Sequence, residues 1–417
     1  MIDQAILFET IGEPMKKTYK ASLFIGIIVS VFISTSAFAT NGMRLIGFGP
    51  IQNSMGGVSA GLPLDAATVL TNPAGMSALQ RRIDFGASYF KPSVEYKATE
   101  TAGMGGGAIA SNGKTINSDR GASPIPAFGL ILPVNDRMKF GIGAYGTCGM
   151  GVDYVNNLYG GVTYTSFSQM RFAPGLSYKI NDMVSVGATM NVMYATMEFN
   201  AAGGFGQQPH MGASSIGYGA TIGLTVKPTD MLQVGLTYET KSSFQDFSFN
   251  TAVGTDKLPF DQPQVATIGL GFKPIEPLLI GFDVQWIRWS ETNGKDLPKY
   301  AQNASGAMPW NMDWEDQLVY KFGVQYTVNP TVALRAGYNY GKMPLNPDRA
   351  FENMAFPAVA EQHITAGVGI NVTKQFTLNI GGVYSPSATL TGSNGGFPPA
   401  GQAISSYETS MSQYSLD

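Results

Sequence analysis

The stretch KINDMVSVGATMNVMYATMEF (179–199) decides the fold. After the tight polar KIND, the residues Val184, Val186, Ala188, Met190, Val192 and Tyr194 alternate with Ser185, Gly187, Thr189 and Asn191. Successive side chains of a strand point to opposite faces, so this segment has one apolar face and one small or polar face. The next segment repeats the pattern. Ile216, Tyr218, Ala220, Ile222, Leu224 and Val226 oppose Gly217, Gly219, Thr221, Gly223 and Thr225. Further on, Ile280, Phe282, Val284 and Trp286 oppose Gly281, Asp283 and Gln285.

Outward from these, similar segments follow one another from about residue 80 to the C-terminus, and their connections alternate between short and long. The short ones read VNDR (134–137), KIND (179–182), KPTD (227–230), KPIEP (273–277), VNP (328–330) and VTK (372–374). The long ones are rich in Gly, Asn and Pro. Tight turns at one rim and long loops at the other are the layout of a transmembrane antiparallel β-barrel, in which the apolar face meets lipid and the small or polar face lines the lumen. Fourteen strands are predicted, near 82–98, 124–133, 138–147, 163–178, 183–199, 214–226, 231–245, 263–273, 278–290, 315–328, 331–342, 360–372, 374–385 and 404–416. An even count leaves no open edge in the bilayer. Tyr89, Tyr178, Tyr238, Trp286, Trp289, Tyr326 and Tyr384 near segment ends are expected to form interfacial girdles. A soluble sandwich or propeller would also alternate. It does not require the long/short rhythm, the glycine-rich face and a secretory leader together.

Composition agrees. Of 417 residues, 44% are hydrophobic, 51 are Gly and only 13% are charged, against about 25% charged in soluble proteins. A net charge of −3 gives no sign of nucleic-acid binding. Cys148 is the only cysteine, so no internal disulfide forms. Lys16, Lys17 and Lys20, the apolar run Leu23–Ile33 and Ala37-Phe38-Ala39 make a secretory signal peptide over 1–39, with Met15 as the expected start and cleavage after Ala39. The run is too short for the alternative, a membrane anchor.

Residues 40–81 show no strand pattern and are rich in small and mildly apolar residues. A fourteen-stranded barrel needs something to fill its interior, so this stretch is read as a hatch, with the barrel over 82–417. Here the chain resembles the FadL family of outer-membrane transporters of long-chain fatty acids and other hydrophobic compounds. The matching residues are Met55-Gly56-Gly57, Ala60-Gly61, Asp65-Ala66-Ala67 and Asn72-Pro73-Ala74-Gly75-Met76, followed by WEDQLVYKFGVQY (314–326), LRAGYNYGKMPLNPD (334–348) and FPAVAEQHITAGVG (356–369). The resemblance implies a bacterial outer-membrane barrel plugged by a hatch, with cargo caught at extracellular loops, passed to an internal apolar pocket and released through a kink in the third strand. On that reading Asn72, Pro73, Ala74 and Gly75 dock on the third strand, whose Gly141, Gly143 and Gly146 permit a bend. The expected cargo is a long-chain fatty acid; an uncharged hydrocarbon or aromatic by the same route is the alternative. The chain departs from barrels of this class in ending Ser415-Leu416-Asp417, without a terminal aromatic.

Alternation turns Arg171, Glu239, Asp283, Lys321, Arg335 and His363 inward. Arg171 and Lys321, near mid-strand, are candidate partners for a ligand carboxylate; pairing with lumenal acids or with the hatch is the competing role. Phe244, Phe247 and Phe249, expected as exposed aromatics in the 243–262 loop, with Phe205 and Met211 in the 200–213 loop, are candidate capture residues. Two histidines and one cysteine offer neither a catalytic nor a metal-ligating constellation. Hence no cofactor and no enzyme activity is expected, and the partners are a hydrophobic ligand and membrane lipid around a monomer. A water-filled porin or structural surface barrel is the remaining alternative, against which the 40–81 insert argues.

Overall fold

A computed structural model describes residues 41–100, 113–154, 163–201, 211–251, 254–295, 297, 311–393 and 404–417. The barrel strands are β1 (Arg82–Glu100), β2 (Ser123–Pro133), β3 (Met138–Met150), β4 (Thr163–Lys179), β5 (Val184–Ala201), β6 (Met211–Thr229) and β7 (Leu232–Glu239). They continue as β8 (Val265–Ile275), β9 (Leu278–Ile287), β10 (Gln317–Asn329), β11 (Val332–Gly341), β12 (Gln362–Asn371), β13 (Thr377–Gly392) and β14 (Ile404–Leu416). Each is antiparallel to its neighbours in sequence, and β14 pairs β1 from Tyr89↔Leu416 to Glu100↔Ile404, closing the barrel. At the end of β14, Leu416 stands opposite Tyr89 of β1 and Gly382 of β13.

The faces follow the alternation. On β5, Val186, Met190 and Tyr194 are exposed while Ser185, Thr189 and Asn191 are buried. On β6, Ile216, Tyr218 and Ile222 point out over buried Thr221 and Thr225. Tyr89, Tyr178, Tyr238, Tyr326 and Tyr384 are exposed as girdle residues should be. Trp289 is the exception. It lies inside, fully buried and edge-on to Trp314 at 5.0 Å, because it shares the inward parity of Ile287 rather than that of Trp286.

Five of the six short turns share one device. Asn135 Oδ1 accepts from the N–H groups of Arg137 and Met138, Asn181 Oδ1 from Met183 and Val184, and Asn329 Oδ1 from Thr331 and Val332. The hydroxyls of Thr229 and Thr373 do the same for Met231 and Leu232 and for Gln375 and Phe376. A short side-chain acceptor satisfies the amides that a two-strand reversal leaves without partners.

Residues 41–81 form an inner segment with short helices at Pro50–Ser54 and Thr68–Thr71 and a 3-10 helix at Pro73–Ala78. It lies against the inward face of the wall, where glycines give its backbone room. Gly271, Gly281, Gly323 and Gly337 stand opposite one another across β8–β11. A Cβ at Gly337 would come within 2.2 Å of Gly56 N, and one at Gly187 within 2.4 Å of the Pro73 carbonyl carbon. Gly56 and Gly57 themselves have φ of 66° and 81°, a left-handed turn that a side chain would strain. Wall side chains hold the segment by its backbone. Asp283 Oδ2 accepts from Ser59 N (2.8 Å) and Ala60 N (3.0 Å), Thr365 Oγ1 from Gly56 N (3.0 Å), and Asp84 Oδ2 from Ala66 N (2.7 Å). At the chain end, the Asp417 carboxylate accepts from Asn53 Nδ2 at 2.9 Å and from the Ser88 hydroxyl.

Candidate functional site

The wall is not uniformly stitched. β2 pairs β3 only from Pro133↔Lys139 to Ala127↔Tyr145, although β3 continues to Met150 and β2 starts at Ser123. Across the next strand, the β3–β4 register shifts between Gly146 and Cys148. The bulge turns the last part of β3 off β2, leaving a split in the wall toward the long-loop end. Pro124 and Pro126 stand on the β2 side of the split, still paired to β1. Proline has no N–H to give and is tolerated in a sheet where a ladder partner is missing. Alternate prolines inside a strand are thus the sequence signal that marked this seam; the glycines of β3 alone did not specify it.

The freed edge of β3 is taken by the inner segment. Arg44 forms an antiparallel bridge with Cys148, Leu45 N donates to Thr147 O (3.2 Å) and Gly149 N to Met43 O (3.0 Å). Above it an apolar cluster fills the lumen. It runs without a break from loop residues Phe351, Phe356 and Trp314 through Phe247, Phe260 and Phe167 to Met150, Cys148 and Met43. Among the described residues this part of the lumen is packed with the protein's own rings. An open volume of about 460 Å³ is a groove on the outer face lined by Ile222, Leu236, Tyr238, Ile268, Val284 and Trp286. Those residues face lipid, so it is not a lumenal site.

The predicted capture residues fall into this cluster rather than onto an exposed surface. Phe247 and Phe249 are buried, in a hairpin of Phe247–Thr251 with Gly254–Leu258. Phe249 meets Phe199 edge-on at 5.6 Å, and Phe244, half-buried, stacks on Phe247 at 6.4 Å. The expectation of exposed rings is corrected: a loop this apolar folds back over the lumen because burial of its rings outweighs their exposure. Met211 opens β6, its backbone opposite Phe199; Phe205 lies outside the described residues.

The Asn-Pro-Ala turn docks elsewhere than expected. Asn72 Nδ2 donates to Ala60 O (2.7 Å) and Leu224 O (3.4 Å), and its Oδ1 accepts from Ala74 N (3.2 Å). Cβ atoms at Gly187, Gly223 and Gly235 would strike Pro73, Asn72 and Ala60, so the turn's seat is β5–β7. Gly75 packs on Pro63 and Thr68 within the inner segment. On β3, Gly141 and Gly143 receive Met76, Val69 and Leu70, whereas Gly146 faces Ile125 at the split. The inner segment does reach the third strand, but through Thr68–Thr71 and Met76 below and Met43–Leu45 above. Nothing in the short turn's own sequence specifies which wall it meets.

The lumenal cations are engaged. Glu239 accepts from Arg44 Nη1 (3.1 Å) and Nη2 (2.8 Å) and also from Arg171 Nη2. Arg171 keeps two buried N–H positions, Nε and Nη1, without a hydrogen bond. Lys321 Nζ donates to Ile46 O (3.0 Å) and Gly57 O (3.5 Å), fixing the inner segment. Arg335 bonds Gln325 and Asn379, and Arg120 bonds Thr165 O and Ser166 while its guanidinium lies 4.9 Å over the Tyr164 ring. Between the Arg44–Glu239 pair and Lys321 lies a cavity of about 40 Å³ lined also by Ser59, Thr221 and Thr267, the size of a water site. In the inner segment, burial and the neighbouring Asp84 raise the Asp65 carboxyl to about 7; its Oδ1 accepts from Gln52 Nε2 at 3.0 Å. His363, one of the two histidines, contacts Asn339 and Gln413.

A family model described as Outer membrane protein transport protein (OMPP1/FadL/TodX) matches residues 26–393. Among solved structures, the Pseudomonas putida toluene transporter TodX is similar over 89% of this chain and 97% of its own, at 20% identity and TM-score 0.69. A Pseudomonas aeruginosa FadL homologue matches at 18% identity and TM-score 0.69 over 90% and 99%. The Ralstonia pickettii toluene transporter TbuX matches at 17% identity and TM-score 0.59 over 89% and 98%. At these identities the likeness is one of fold. No curated sequence matches the chain.

Proposed function

The chain belongs to the outer-membrane transport family OMPP1/FadL/TodX, and from that premise we propose that it is a passive channel whose hydrophobic cargo leaves sideways through the β2–β3 split. The observation that carries this reading is the unbroken apolar cluster, which starts at the loop rings and ends on Cys148 and Met43 at the freed edge of β3. Cargo enters by displacing rings such as Phe247 and Phe356, which offer an apolar molecule the same environment they offer one another. Residues 40–81 act as the hatch, closing the axial route to ions and water. Among the described residues no group of His, Cys, Asp or Glu could hold a metal ion, and we read the transport as diffusion down a gradient.

The pairing of the cations favours uncharged cargo, an aromatic or aliphatic hydrocarbon. A carboxylate entering this lumen would have to displace Glu239 or reach the two remaining Arg171 donors, both buried, beside a Glu239-lined cavity that holds about one water. A long-chain fatty acid is the second reading, and those two donors are what supports it.

One experiment tests the route and the cargo. Pro126 and Gly146 would be the next pair of the interrupted ladder, and a Cβ at Gly146 would stand 3.8 Å from Pro126 Cδ, so the two strands come close enough there for a cross-link to be attempted. Pro126→Cys with Gly146→Cys, in a Cys148→Ser background, should stitch the split closed. Uptake of labelled toluene should fall when the protein is oxidised and return with reductant, while long-chain fatty acid uptake stays low in both states. Normal toluene uptake by the oxidised protein would refute the lateral route; reductant-dependent fatty acid uptake would establish the second reading.

A further inference from the structure

The segment that occupies the freed edge of β3 carries a charge with an unusual partner. Arg44 is bridged by its backbone to Cys148 on β3, while its side chain crosses to a bidentate pair with Glu239 on β7, 195 residues away in sequence. Arg171 of β4 shares the same carboxylate. All three side chains are buried.

We propose that the Arg44–Glu239 pair is the clasp that holds Met43–Leu45 on β3, and that the lateral split opens when this pair breaks. The inference rests on the lateral-exit reading. Its physical basis is the arithmetic of the triad. Closed, two guanidinium groups share one carboxylate. When Arg44 leaves, Arg171 and Glu239 remain as a one-to-one pair. Breaking a simple buried pair strands a charge in a poor solvent, which is what makes such pairs hard to open. Here the wall keeps its neutrality, and only the mobile partner departs. Arg44 is thus a positioning residue that converts a two-bond strand contact into a tether across the lumen. Arg171 is the group that lets the tether release.

The chain supplies its own reporter. Cys148 is fully buried, directly opposite Arg44 in the bridge, with Met43 and Gln262 around it. Withdrawal of Met43–Leu45 uncovers the thiol. Maleimide labelling of purified protein in mild detergent therefore reads the clasp without any transport measurement. Arg44→Met should raise the labelling rate by roughly tenfold or more, because local opening governs access to a buried group. Arg44→Lys, which keeps the charge but gives up the bidentate geometry, should fall between Arg44→Met and the native protein. Arg171→Met leaves Arg44 as the sole partner of Glu239 and should label no faster than the native protein. Heat-modifiable mobility on a gel confirms that each variant is an assembled barrel.

Unchanged labelling in assembled Arg44→Met, or equal acceleration in Arg171→Met, would overturn the clasp. If Arg44→Met does not assemble, Arg44→Lys decides alone: native-rate labelling counts against the proposal and faster labelling for it. Toluene uptake separates this from the reading beneath it. Fast labelling with unaltered uptake keeps the clasp and sinks the lateral exit.

Discussion

Gly235→Ala should undock the inner segment while leaving the barrel intact. Gly235 lies on β7 between Thr225 and Gly269, facing inward. A Cβ there would stand 1.8 Å from Ala60 O and 2.9 Å from Asn72 Nδ2. An ordinary contact begins near 3.4 Å, so the 59–61 backbone must retreat by about 1.5 Å. That distance breaks the bonds from Ser59 N and Ala60 N to Asp283 at 2.8 and 3.0 Å and the Asn72–Ala60 bond at 2.7 Å. The two bonds to a carboxylate contribute about 1.5–3 kcal/mol each, so the docked state loses roughly 3–6 kcal/mol. The β7 ladder uses backbone groups that the methyl does not touch. Gly382→Ala is the matched control, since its Cβ meets only Ser415 O at 3.7 Å. In planar bilayers the native protein and Gly382→Ala should be nearly silent, and Gly235→Ala should pass frequent currents while keeping heat-modifiable mobility. If Gly235→Ala is as silent as the control and keeps native amide-exchange protection over 58–62, the close approach of these backbones does not hold the inner segment.

Two further outcomes are expected. Phe247→Ser with Phe249→Ser removes two buried rings, about 3–5 kcal/mol each by analogy with Phe→Ala, so tryptic cleavage at Lys257 in the same hairpin should accelerate and toluene uptake fall; native cleavage kinetics would mean that other contacts hold the hairpin. Asp65 is a carboxyl whose folded-state value is raised, from 3.8 to about 7, so the docked segment binds more protons than the free one, and docking weakens as pH rises through that window and levels off above it. Amide exchange over 58–66, corrected for intrinsic rates, should show less protection at pH 8 than at pH 5.5, and Asp65→Asn should abolish the difference; an equal difference in Asp65→Asn would assign it to another group.

Much of the barrel is legible because its rules are local. A pleated strand in lipid must alternate, and a lipid face tolerates little but apolar side chains, so β5, β6 and β9 gave their faces, and the inward turn of Arg171, Asp283 and Lys321, from period two alone. Short turns such as KIND needed only their own Asn to reverse the chain. The strand count followed from the rhythm, and the Gly-rich inward faces foretold a lumen that something must enter. Tertiary structure decided everything that depends on residues far apart meeting. It placed Asn72 and Pro73 on β5–β7 rather than β3, buried Trp289 and Phe247 instead of exposing them, and joined Arg44 to Glu239. The split beside Pro126 also belongs here, since a missing ladder bond is a relation between two strands. The sequence names the groups that need partners, but inside a closed barrel every wall strand offers inward donors and acceptors, and only the packed geometry selects among them.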